Sequence, residues 1–154
     1  MAGLESPATE IRFHDDLETC RMRLGVYWGE NQGLDMCTGE AAGTMERKTM
    51  LHELAHAWIG EHIEDEQRDA FMSLRRVERW NSADDVWEDR GTEHAAEIIA
   101  WGLMDDRISL ARFSPSGVEE LAVAYEFLTS LPPRLRDGDV EVEIADPYLR
   151  VYGG

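Results

Sequence analysis

The chain has 154 residues, the size of one ordinary domain, and its 43% hydrophobic content with a mixed charged surface reads as a single soluble domain over 1–154. Asp plus Glu at 32 against Lys plus Arg at 15 leave a formal charge of -17, which repels phosphate backbones and anionic membrane surfaces and excludes nucleic acid and membranes as expected partners. No apolar run reaches the roughly 18 residues of a membrane span, and Met1 to Glu10 shows neither the basic start nor the apolar core of a secretory signal, so a cytoplasmic location is the expectation.

Taken in order, Ile11 and Phe13 alternate with Arg12 and His14, a first strand pattern. From Cys20 to Trp28 the residues Cys20, Met22, Leu24, Val26 and Trp28 alternate with Arg21, Arg23, Gly25 and Tyr27, the period of a half-buried strand. Turn residues at 30–33 and the short run Leu34 to Cys37 then predict a hairpin, giving a small N-terminal antiparallel sheet. Cys20 and Cys37 are too distant for a CxxC pair and too few for a disulfide framework, which predicts reduced, partly buried thiols.

Thr44 is placed to cap a helix running to about Gly60, with Leu51, Leu54, Ala55 and Trp58 at helical spacing. A more polar helix is predicted over Asp65 to Trp80 with Phe71, Leu74 and Val77 inward, followed by a loop from Asn81 to Arg90. Thr92 then caps an apolar helix ending near Met104. Ser116 with Glu119 forms a capping box for a last helix, whose inward stripe is Val118, Leu121, Tyr125 and Leu128. Pro132-Pro133 ends the core at about residue 131, and 132–154 reads as an edge strand around Val140, Val142 and Ile144 or as an acidic tail. The fold class is α+β: a small sheet packed with one central helix and two or three more.

The chemistry lies in His52-Glu53-Leu54-Ala55-His56. Two histidines four apart on a helix sit one turn apart on one face, so both imidazoles reach a single ion such as Zn2+, which takes nitrogen at about 2.0–2.1 Å. Glu53 points to an adjacent direction, suited to a general base that touches a metal-activated water without occupying the metal. With 5 His in the chain, random order would produce this pattern roughly 0.02 times.

A catalytic zinc needs a third protein ligand and an open position. Two candidates compete. His62 lies ten residues after His52, but the glycine that would turn the chain between those ligands stands at Gly60 and not at Ile59. Glu93 and Glu97 share one face of the otherwise apolar helix, where buried acids demand compensation; a metal on Glu93 and a histidine N–H on Glu97 would provide it. His94 projects about 100° from Glu93 and reads as exposed or cap-proximal.

His52-Glu53-Leu54-Ala55-His56-Ala57-Trp58 resembles the active-site helix of the zincins, and Glu93-x-x-Ala96-Glu97-x-Ile99-Ala100 is similar to the glutamate helices of the ImmA/IrrE and lethal-factor-like peptidases. The resemblance, over roughly Thr44 to Met104, implies a gluzincin: a zincin-like fold, peptidase activity on a protein or peptide substrate, and zinc held by His52, His56 and Glu93. It also implies that an extended peptide adds to a strand edge, for which the hairpin at Gly25 to Cys37 is the candidate. For the group that stabilises the oxyanion, Tyr27, Arg90, His94 and Tyr125 stay open. The rival reading is a non-catalytic or narrowly specific regulatory module of the same fold that binds a partner protein.

Overall fold

The computed structural model describes residues 3–21, 23–29, 33–37, 44–82, 84–104 and 117–134, with residues 44–46 described by backbone alone. The N-terminal third supplies three strands, β1 (Glu10–His14), β2 (Gly25–Trp28) and β3 (Gly33–Cys37). Their order is β1-β3-β2, with β2 antiparallel to β3 as the expected hairpin and β1 parallel to β3. The sheet is therefore mixed and not antiparallel. The chain leaves β1 for the far edge before returning through the centre, so β3 runs in the direction of β1.

Only the second half of the strand expected from Cys20 to Trp28 is extended. Turn bonds from Arg21 N–H to Glu18 O and from Arg23 N–H to Cys20 O fold the first half, with Arg21 left-handed at φ 52°. This turn places Cys20 against the end of the central strand, and Cys20 and Cys37 are joined in a disulfide with Cα atoms 6.0 Å apart. The reduced thiols expected from cysteine count are thus corrected by strand order, which brings the two residues together across 17 positions.

The two sheet faces differ in chemistry. On one, the carboxylate of buried Asp35 accepts from Arg12 Nε (2.7 Å), His14 Nε2 (3.0 Å) and Trp28 Nε1 (2.7 Å). Burial alone would raise the Asp35 pKa, but these donors outweigh it and hold it below its usual value. In β1 Arg12 and His14 therefore lie on the Asp35 face, and Ile11 and Phe13 are exposed. On the other face Leu34 and Met36 pack with Leu54 and Met50 of the following helix.

Among the described residues four helices follow: α1 (Thr44–His62), α2 (Asp65–Arg75), α3 (Gly91–Leu103) and α4 (Val118–Thr129). Helix α1 continues past Gly60, where an added Cβ would meet nothing within 4 Å, so this glycine sits on an open face and does not stop the helix. Helix α2 ends sooner than expected, with Arg76 left-handed at φ 57° and Val77 N–H bonded to Met72 O. Phe71 is buried as expected. Leu74 is exposed and Val77 lies beyond the last turn, so two of the three inward residues are corrected.

The connection to α3 contains a 3-10 turn, Trp87–Asp89. It is anchored by bonds from Gly91 N–H to Arg79 O and from Thr92 N–H to Trp80 O, and Arg90, not Thr92, is the N-cap. Helix α3 is the hub of the core: Ala95, Ala96, Ile98, Ile99 and Trp101 are buried with Leu121, Ala124, Tyr125 and Leu128 of α4. A Cβ at Gly102 would lie 2.1 Å from Tyr125 Cδ2, so the absence of a side chain lets these two helices close. At the start of α4, Gly117 N–H donates to Glu120 across 3.2 Å, one position along from the expected Ser116 and Glu119 pair; Ser116 lies outside the described residues. The segment around Val140 to Ile144 also lies outside them. The architecture is α+β, and no helix among the described residues is long and apolar enough to cross a membrane.

Candidate metal centre

The 3.6-residue repeat of α1 puts Lys48, His52 and His56 on one face, and α3 does the same for Glu93 and Glu97. The faces meet in opposite chain directions. Lys48 Nζ pairs with Glu97 Oε1, His52 touches both glutamates, and His56 meets Glu93.

At the centre three atoms form a triangle with equal sides. His52 Nε2, His56 Nε2 and Glu93 Oε2 are each 3.2 Å from the other two. Among the described residues these three form the one grouping of His, Cys, Asp or Glu whose ligand atoms converge. The outer ring nitrogens face other partners: His52 Nδ1 lies 3.1 Å from Glu97 Oε2, and His56 Nδ1 lies 3.4 Å from Thr92 Oγ1. Each Nδ1 carries its ring's proton when it donates outward, which turns both Nε2 lone pairs toward a carboxylate oxygen.

Three acceptors aimed at one point repel one another unless a cation or an extra proton lies among them. A tetrahedral ion with bonds of about 2.0–2.1 Å requires donors roughly 3.3 Å apart, close to the observed spacing, and a His2Glu set is one in which catalytic zinc is held. The donors therefore fit a zinc ion. Charge agrees: Lys48 against Glu53, Glu93 and Glu97 leaves two uncompensated negative charges, which a divalent ion balances.

In the metal-free protein protonation takes over this task. Burial disfavours the His52 imidazolium, but bonds to Glu93 and Glu97 outweigh it and raise the pKa from 6.5 to about 9. Burial would raise Glu93 in turn, yet the two imidazoles hold its carboxyl well below the usual range. Glu97 is lowered as well, with burial opposed by His52 and Lys48.

Glu53, next to His52 in α1, reaches the sheet, where its Oε2 accepts the Tyr27 N–H of β2 at 2.8 Å. Cys37 N–H bonds to Leu24 O, so along antiparallel β2 the backbone groups of Gly25 and Tyr27 point away from β3. Burial, then the charge of Glu61, pushes the Tyr27 phenol up from its ordinary value. Trp87 of the 3-10 turn forms a wall beside His52, with ring centroids 5.9 Å apart.

The remaining candidates lie elsewhere. His62, six residues past His56, stacks on Trp58 at 4.6 Å and donates from Nδ1 to Trp58 O. His94 is buried and not exposed, its Nε2 bonded to Glu88 O at 2.7 Å, which clamps the 3-10 turn to α3. Arg90 bonds to Asp85 O, and Tyr125 is enclosed in the core. Sequence reasoning missed Lys48 and Thr92. The signal for Lys48 was its position four residues before His52; a lysine in a helix otherwise reads as solvated.

No protein-family model, no curated protein and no solved structure matches the chain. The chemistry is read from the arrangement of the residues themselves.

Proposed function

We propose that the chain is a zinc-dependent peptidase of zincin type, in which His52, His56 and Glu93 hold the metal and Glu53 is the general base. The observation that carries this reading is the 3.2 Å triangle of donor atoms from two helices, with a carboxylate at the next position of the same helix. When bound, zinc would supply Lewis acidity, polarising the scissile carbonyl and bringing water's pKa to about 7. Glu53 takes the proton from the attacking water and passes it to the departing amine. Tyr27 N–H holds one oxygen of Glu53, which orients the carboxylate and leaves its second oxygen for that proton.

The other residues position these groups. Glu97 and Thr92 set the ring orientation of the two histidines. The side of β2 that is not paired with β3 lies beside Glu53, and an extended peptide would add there as a further strand through the backbone groups that Glu53 leaves free. A peptide-binding strand next to a proton acceptor favours amide hydrolysis over metal storage.

The test compares the native chain with Glu53→Gln on a degenerate peptide library. Both forms should retain one equivalent of zinc, and only the native form should cleave, with chelator abolishing that cleavage. A native protein that takes up no zinc, or a Glu53→Gln form that cleaves at the native rate, overturns the reading.

A further inference from the structure

Lys48 and Glu97 form an ion pair in which the two residues are only 6% and 3% exposed, buried in the seam between α1 and α3. Taking both charges out of water is costly, and an aliphatic pair would pack there at least as well, so the pair calls for a role beyond stability. Its geometry supplies one. Glu97 has two oxygens, Oε1 with the Lys48 ammonium and Oε2 at 3.1 Å from His52 Nδ1, and a carboxylate gripped at both oxygens keeps one orientation. Lys48, His52 and Glu97 thus form a fixed chain leading to the metal centre from its inner side.

We infer that Lys48 is a positioning residue for the metal centre: by anchoring Glu97 it fixes the ring of His52 so that Nε2 addresses the ion position. The inference rests on the metal-site reading above and goes beyond it, because Lys48 is not one of the three converging donors and contacts Glu97 instead. A competing physical effect makes it sharply testable. A positive charge near a cation site repels the cation, so if Lys48 mattered only as a charge, its removal would tighten zinc binding. Anchoring predicts the opposite sign, since the loss of an outer partner of a metal-bound histidine typically weakens metal binding about 10–100-fold.

The experiment measures zinc affinity by chelator competition on the full chain for the native form, Lys48→Met, Lys48→Arg, Glu97→Gln and the Lys48→Met/Glu97→Gln double variant. Lys48→Met should bind zinc at least about tenfold more weakly and Lys48→Arg should recover most of that loss. Because Lys48 acts through Glu97, adding Lys48→Met to Glu97→Gln should weaken binding no further. The double variant removes both charges of the pair together and strands neither partner, so this comparison stands even if Lys48→Met alone does not fold. Equal or tighter binding in Lys48→Met overturns the inference, as does a double variant weaker than Glu97→Gln by tenfold. A native chain that binds no zinc defeats the metal-site reading itself, a result distinct from either of these.

Discussion

Gly25 on β2 and Glu53 on α1 approach so closely that a Cβ on the glycine would stand 3.1 Å from Glu53 Cγ and 2.8 Å from Thr49 Cγ2. The strand edge rests directly on the helix bearing the proposed base, and the neighbouring Tyr27 N–H reaches the Glu53 carboxylate for that reason. Gly25→Ala should push β2 away from α1. We expect a stability loss of about 1–3 kcal/mol in denaturant titration, as for other overpacked sites. Peptide cleavage should fall by at least about tenfold, since a lost orienting hydrogen bond is worth roughly that much, while zinc stoichiometry is retained. Native cleavage in Gly25→Ala would separate the strand from the chemistry.

The raised His52 pKa gives metal uptake a definite pH dependence. At pH 7.5 the metal-free ring is mainly protonated, because its pKa is about 9, and zinc must displace that proton. Calorimetry in buffers of different ionisation enthalpy should show close to one proton released per zinc at pH 7.5, and apparent affinity should rise with pH until about 9. The same group sets the stability of the chelated protein. Its folded pKa lies above the unfolded value of about 6.5, so the folded state binds more protons and stability falls as pH rises between the two. That contribution is fully present below about pH 6.5 and lost through pH 9, which denaturant titrations of the chelated protein at pH 6 and pH 9.5 would reveal.

The two histidines are oriented by unequal partners. Glu97 is a buried carboxylate 3.1 Å from His52 Nδ1, whereas Thr92 offers a neutral hydroxyl 3.4 Å from His56 Nδ1. Hydrogen bonds to an ionised group are about twice as strong as neutral ones. Glu97→Gln should therefore weaken zinc binding about 10–100-fold and Thr92→Val by less than about fivefold. Competition with a fluorescent chelator would rank the two, and a larger effect at Thr92 would contradict this assignment of partners.

The Cys20–Cys37 disulfide closes a 17-residue separation around the turn that leads into β2. A loop of this length predicts about 3 kcal/mol of stabilisation on the chain-entropy account. The purified protein should show no titratable thiol when denatured without reductant. The Cys20→Ala/Cys37→Ala variant should lose about 2–3 kcal/mol in denaturant titration. Two free thiols in the unreduced protein would contradict the bridge.

Much of the helical half is legible from side-chain spacing, because the contacts that build it are local. The pair His52 and His56 and the pair Glu93 and Glu97 each follow from a four-residue interval, and the apolar run around Ile98 and Ile99 marks the buried helix. What cannot be read locally is how segments meet. Alternation at Ile11 and Phe13 shows a strand but not which face is covered, and Arg12 and His14 bond the Asp35 carboxylate while the apolar pair stays exposed. The parallel course of β1 and the pairing of Cys20 with Cys37 depend on strand order, which no short pattern encodes. Leu74 fits an inward stripe only if α2 continues, and the left-handed turn at Arg76 ends it first. The role of Lys48 depends on Glu97 of the opposite helix, which no local pattern encodes.

Since all three donors come from just two rods, their convergence depends on the sliding position of one rod along the other. A slip of a single residue, about 1.5 Å, would uncouple Lys48 from Glu97, His52 from both acids and His56 from Glu93 together. Binding of an ion at the proposed centre would then be coupled to the alignment of α1 with α3, and the ion would act as a bolt that locks the two helices in a single setting.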